Sequence, residues 1–391
     1  MSDRDLTPGE PLPHYVNREP FDPYAVEKLT PQQERYYQAS EWRIVWWRFR
    51  RHRVAVWSGA FLLFMYIAVV ICEFLAPYDL HSRHTQHIYA PPQALHLFHD
   101  GQFVGPFVYG YDYKLNMENL QREYLPNPDK VQPLRFFCRG DSYRFWGQVE
   151  SDLHFFCPAE GGTAFLFGTD RLGRDMLSRV IYGARISLTL AFIATGISFV
   201  LGIVIGGMAG YFGGFIDAVT LRAIEIIRSF PELPLFMTLS ALLPVTWSPI
   251  GVFAGISVII GLLEWPGLAR AVRAKFLSLR EEDFTTAAQL MGASPTRIIG
   301  RHLLPSFTSH LIASLTVSIP TAILGETALS FLGIGLRPPI TSWGVVLYEA
   351  QDFNVVAVYP WLLLPVVPLF LVVLAFNFLG DGLRDAADPY N

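Results

Sequence analysis

Side chains able to do chemistry are sparse in this chain, and the densest group lies in FGTDRLGRDMLSRVIYGARISL, residues 167–188. There Asp170, Arg171, Arg174 and Asp175 place two carboxylates and two guanidiniums within six residues. Such a set can dock a charged partner or line the mouth of a pathway; it can equally pair with itself and orient the helix that follows. Asp381, Arg384, Asp385 and Asp388 in GDGLRDAADP read as a helix-end charge network, with a partner contact as the alternative. Glu326 stands in an apolar stretch, where a carboxylate is costly unless it faces a pathway or bonds to a neighbouring helix. Cys138 and Cys157 share one long loop and leave three arrangements open: a disulfide, which an oxidising compartment favours, two buried thiols, or a metal site with His154 or His99. The last matches no standard zinc spacing, so no metal is expected.

Enzymatic chemistry finds little purchase. A phosphate-cradling loop needs a glycine directly before its lysine. The only lysines are Lys28, Lys114, Lys130 and Lys275, and none follows a glycine. No His-Glu-x-x-His, paired catalytic carboxylates or nucleophile elbow stands out. The expectation is a chain that catalyses nothing and holds no cofactor of its own.

The elements carrying these residues follow from composition. Of the 391 residues 51% are hydrophobic and only 16% charged, against about 25% charged in average soluble proteins. The apolar residues collect in blocks of about 20, the length that crosses a hydrocarbon layer roughly 30 Å thick. The expected order is a polar tail over 1–29, an interfacial amphipathic helix over 30–53 opened by Thr30, Pro31 and Gln33, and a first span over 54–76. A loop over 77–183, too apolar for plain disorder, should form a small folded domain. A core over 184–381 follows, with spans at 186–209, 217–243, 249–268, 307–333 and 359–380, a polar loop at 269–305, and a tail at 382–391. Arg43, Arg48, Arg50, Arg51 and Arg53 precede the first span, which puts its start and the N-terminus in the cytoplasm and the 77–183 loop outside. Parity then puts the 269–305 loop and the C-terminus inside. Arg270, Arg273, Lys275, Arg280, Arg297 and Arg301 in that loop, against Arg337 alone in 334–358, agree with this. A nucleic-acid reading of the basic aromatic cluster at 42–53 loses to this membrane reading.

Within the polar loop, EEDFTTAAQLMGASPTRIIGRHLLPS (281–306) has Phe284, Ala287, Ala288 and Met291 at i, i+3, i+4 and i+7, one apolar stripe on a short helix. Gly292 suits a left-handed cap, and Ser294-Pro295 suits the start of a second helix running to Pro305. An interfacial helix is the plain reading; the glycine, the second cap and the proline together specify a rigid elbow, suited to transmit force from a soluble partner.

This stretch resembles the coupling signature of binding-protein-dependent ABC importers: Glu-Ala-Ala, three residues, Gly, nine residues, Ile, one residue, Leu-Pro. Ala287, Ala288, Gly292, Leu304 and Pro305 match it, while Thr286 replaces the glutamate and His302 the isoleucine. With ETALSFLGIGLRPP (326–339), SWG (342–344), NFLGDGLRDAADP (377–389) and the 167–188 segment, residues 167–389 resemble the C-type permease subunit of dipeptide, oligopeptide and nickel importers. The resemblance implies an all-α membrane protein of six transmembrane helices with the type I importer permease fold, here with an exported loop domain between the first two helices. It implies half of a translocation path in a bacterial inner membrane. The partners would be a second homologous permease, two ATPase subunits holding ATP and Mg, and a periplasmic binding protein, with no nucleic acid. Peptide is the expected substrate, oligosaccharides or nickel complexes the alternatives, and a standalone channel or secondary transporter the competing class.

Overall fold

A computed structural model describes residues 39–118, 121–244 and 246–387. The tail over 1–29, the proposed cap at Thr30, Pro31 and Gln33, and Asp388 lie outside the described residues. Helix α1 spans Glu41–Arg51 after the non-helical residues 39 and 40, and the expected start at residue 30 lies outside the described residues. It ends at His52, whose Nδ1 accepts from the Ala55 amide at 3.1 Å and so caps α2 (Arg53–Val70). A short α3 (Cys72–Leu75) follows, and the chain then leaves the helical region.

Strands lie between residues 96 and 157, in the loop for which the sequence predicts a small folded domain without fixing its class. Strands β1 (His96–His99), β2 (Gln102–Leu115) and β3 (Arg122–Pro133) form one antiparallel sheet; β4 (Arg135–Phe145) and β5 (Val149–Cys157) form a second. Cys138 and Cys157 are joined as a disulfide across the second hairpin. His154 is fully buried with its two ring nitrogens against the carbonyls of Ala76 and Asp141, at 2.6 and 2.8 Å, which leaves neither nitrogen for a metal.

Helix α4 (Met176–Phe212) is 37 residues long, about 55 Å at 1.5 Å per residue, well beyond the span expected over 186–209. Then come α5 (Gly214–Ser229), α6 (Glu232–Ala241) and α7 (Pro249–Leu279). The third expected span is therefore two pieces of 16 and 10 residues. Pro231 forces the break, because a residue before proline is pushed out of the helical region; Phe230 is extended at φ −90°, ψ 142°. Pro234 falls in the first turn of α6, where its missing N–H costs nothing. Five helices remain that are long and apolar enough to cross a membrane, among the described residues. Helix α7 runs to Leu279, so 269–279, expected as loop, is helix.

The elbow contains α8 (Asp283–Leu290), α9 (Pro295–Ile298), a π turn (Ile299–Leu303) and α10 (Leu304–Ser306). Helix α11 (Thr308–Phe331) follows, then α12 (Trp343–Leu347), a 3-10 turn (Tyr348–Gln351), α13 (Phe353–Val358), a second 3-10 turn (Pro360–Leu363) and α14 (Val366–Ala387).

Helices α4 and α7 make the closest pairing. Gly202, Gly206 and Gly210 repeat at i+4 along the α4 face that meets α7, and small residues there let backbones approach. A Cβ on Gly206 would stand 2.3 Å from the Ala269 carbonyl oxygen. The main core joins α2, α4, α7, α11, α12 and α14 through residues such as Leu62, Leu188, Ile256, Ile323, Trp343 and Val372. Glu326 is inside it, fully buried, accepting from Ser187 Oγ (3.0 Å) and Ser330 Oγ (2.7 Å). It bonds to Ser187 of a neighbouring helix, one of the two roles open to it.

Candidate functional site

Two polar constructions lie at the two ends of α4. At its C-terminal end is the elbow. Helix α8 stops in a complete Schellman motif: the Ala293 amide reaches Ala288 O at 3.0 Å and the Gly292 amide reaches Gln289 O at 2.9 Å. Gly292 has φ +79° with nothing within 4 Å of where a Cβ would be, so its requirement is conformational, not steric. Ser294 Oγ then caps α9, and Pro295 fills its first position. Pro305 cannot donate to Arg301 O, and just ahead of it the helix widens to a π turn in which the Leu304 amide bonds to Ile299 O.

The elbow is fastened to the membrane helices. Ala288, Ile298, Leu303 and Phe307 pack on Val272, Phe276 and Leu279 of α7, with Phe199, Ile203 and Tyr211 of α4 against them. Thr285, fully buried, donates to Leu279 O at 2.8 Å and ties α8 to the end of α7. Arg280 donates to Tyr211 O at 3.2 Å. A bidentate pair from Arg273 to Asp217 holds α5 on α7.

The expected stripe does not behave as one face. Thr285 and Ala288 point inward, whereas Phe284, Thr286 and Ala287 are exposed and Met291 is 82% exposed, joined by Leu290 at 84%. The periodicity of four apolar residues suggested that they bury together, but the short helix is pinned from the Thr285 side, which turns the larger side chains outward. Thr285 and Leu290 were not singled out in the sequence. A threonine three residues before the alanine that seats the helix was the only available signal for the first. Leu304 is half-buried and Pro305 exposed.

At the N-terminal end of α4 the charged segment is folded inward. Asp170 is fully buried and binds Arg174 Nε and Arg179 Nη1, each at 2.6 Å. Its other oxygen accepts the Leu172 and Arg174 amides. Glu349, from the 3-10 turn after α12, meets Arg174 and Arg179 at 3.2 Å. Asp175 caps α4 through Ser178, and burial pushes its carboxyl up to about 7. Of the four residues expected to dock a partner, only Arg171 is exposed. Asp170, Arg174 and Asp175 are spent on holding α4, Glu349 and the start of the loop together, because each carboxylate finds a guanidinium or a helix N-terminus within the chain.

A third buried pair fixes the strand region. Arg185 of α4 binds Glu73 through both guanidinium nitrogens, and the Trp146 amide donates to the same carboxylate at 3.1 Å. The Arg185 guanidinium lies 4.3 Å from the Trp146 ring centre, and Trp146 Nε1 bonds to Val70 O. The tip of the β4–β5 hairpin is thereby clamped onto α3 and the end of α2. At the last helix, Asp381 and Arg384 sit near the packing of Phe49 and Ala55 on Ala386, with no ion pair among the described residues.

A bundle of long apolar helices around close glycine contacts, with a capped polar elbow between two of them, defines a multi-pass membrane protein. Residues 202–390 match the family described as binding-protein-dependent transport system inner membrane component, and residues 40–92 match the N-terminal TM domain of oligopeptide transport permease C. A putative peptide permease protein of Brucella suis biovar 1 is 40% identical over 225 residues, 57% of this chain and 72% of that one. The dipeptide transport system permease protein of Bacillus subtilis is 40% identical over 227 residues, 57% of this chain and 68% of that one. A solved inward-facing MetNI methionine ABC transporter aligns over 55% of this chain at 22% identity and TM-score 0.43, a likeness too slight to decide anything. The chain belongs to the family of inner membrane components of binding-protein-dependent transport systems: it is a permease and not the catalytic part.

Proposed function

We propose that this chain is one of two membrane subunits of an ATP-driven importer that carries peptides across the bacterial inner membrane. Each of the two permeases forms half of the path, and α8 seats in a groove of an ATPase subunit. The observation that carries this reading is the exposed apolar tip Phe284, Leu290 and Met291 on an elbow otherwise fastened to the core. A large apolar patch held rigidly in a polar loop fits a protein partner. ATP binding would close two ATPase subunits, move the elbow and shift the path outward; ATP and Mg belong to those subunits, and this chain supplies no catalytic group. The arginines of α1, Arg53 and those in 269–305 favour a cytoplasmic side for both ends and the elbow, with the strand region outside, where a binding protein would deliver substrate. Peptide is chosen over sugar or nickel complex because the similar proteins named above are peptide permeases.

The test is purification of the tagged chain from native membranes in mild detergent, as wild type and as Leu290→Asp. Wild type should bring a second permease and two ATPase subunits, and Leu290→Asp should keep the permease pair while losing the ATPases. Retention of both ATPases by the variant would overturn the reading of α8.

A further inference from the structure

The charged end of α4 contains more than internal pairing. A cavity of about 340 Å³ opens beside it; its charged lining is Arg171, Arg174, Arg179, Arg337 and Glu349, with Leu336, Val345 and Tyr348 among the other walls. Four guanidiniums thus face one lining carboxylate, with Asp170 bound behind Arg174 and Arg179. The excess of positive charge is two. Asp175 does not cancel it: it is buried on Ser178, and burial raises its carboxyl to about 7, so it carries less than a full charge at neutral pH.

Two of these arginines have unspent donors. Arg179 is 2% exposed, and its Nε has no hydrogen-bond partner among the described residues. A buried donor left unsatisfied is unusual and calls for an explanation. Arg337 has neither an ion pair nor a hydrogen bond among the described residues, although it lines the cavity. A second cavity, about 270 Å³, lies on the other side of Arg337. It is lined mainly by apolar side chains including Leu243, Trp247, Val252 and Ile340, and it shares Leu336, Arg337 and Pro338 with the first. A cationic cavity joined to an apolar one matches a carboxylate with a hydrophobic group beside it.

We propose that the cavity beside Arg337 receives a carboxylate at the mouth of the path, with the attached apolar group in the neighbouring cavity. Guanidinium and carboxylate geometries match in a two-bond fork, which makes arginine the residue suited to this task. The proposal rests on the peptide-import reading for its choice of ligand: a C-terminal carboxylate with its side chain, or an acidic side chain of the delivering protein, has this chemistry, and a neutral sugar does not.

The test uses the whole transporter in proteoliposomes with its binding protein, a tripeptide ending in phenylalanine, and the C-terminal amide of the same tripeptide. Arg337 is an exposed loop residue without an ion pair or hydrogen bond among the described residues, so Arg337→Gln should fold. A hydrogen-bonded charge pair contributes about 1.5 kcal/mol, roughly tenfold. Arg337→Gln should therefore cut uptake of the free acid about tenfold and leave the amide unchanged, with Arg337→Lys restoring part of the loss. If acid and amide fall together and the binding protein docks about tenfold more weakly, the carboxylate is the delivering protein's, and the cavity assignment stands. Unchanged uptake of both with unchanged docking would overturn it. Failure of the peptide reading has a different signature: wild type takes up neither tripeptide, while docking of the binding protein still reports on the cavity.

Discussion

The two ends of α4 solve opposite problems with the same kinds of residue. At the N-terminal end, charges are taken inside and matched: Asp170 and Glu349 hold Arg174 and Arg179, and Glu73 holds Arg185. At the C-terminal end, charges are used only to brace helices, through Arg273–Asp217 and Arg280–Tyr211, while apolar side chains are left outside. The first end is braced by its own chain, which leaves Arg337 and one edge of Arg179 without a partner among the described residues. The second has its backbone capped at Gly292 and Ser294, but its outer apolar side chains are uncovered. That difference separates a structural lock from a docking surface more clearly than composition does.

The comparison breaks first at Arg179. Replacing it with methionine leaves Asp170 to Arg174, and Glu349 to Arg174 and the exposed Arg171, and breaking a buried pair by removing one partner costs about 3–5 kcal/mol. Arg179→Met should sharply lower the yield of folded, detergent-stable protein, read by size-exclusion fluorescence and thermal melting. An unchanged melting profile would mean that the buried network is ornamental.

Gly292→Val probes the other end and should do the reverse. A β-branched residue at φ +79° carries backbone strain of order 1–3 kcal/mol, but no side chain stands in its way. Insertion and folding should survive, while transport and ATPase stimulation are lost because the angle between α8 and α9 changes. Retained transport would show that the elbow need not be rigid.

How much of this was written in the sequence follows from the range of each interaction. The apolar blocks and the caps at Gly292 and Ser294 are local, set by a few consecutive residues, and they were legible. The direction of the α8 stripe was not, because Thr285 meets Leu279 only after α7 has extended beyond its apolar block. The charged segment was seen as a set but not as buried, since Glu349 and Arg337 reach it from more than 150 residues away. The strands of 96–157 were missed for another reason: their apolar, aromatic and polar residues do not alternate cleanly, because the two sheets are small and many of their side chains remain exposed. A folded domain could be expected there, but not its class.

The central claim is that the elbow is a surface finished by the ATPase subunits, whereas the charged end of α4 does not meet them. Amide hydrogen exchange, followed by mass spectrometry on this permease with and without its ATPase subunits, compares both ends in one experiment. Adding the ATPases should slow exchange over residues 283–292 by an order of magnitude or more and leave 170–179 unchanged. Equal exchange at the elbow in both states would contradict the account.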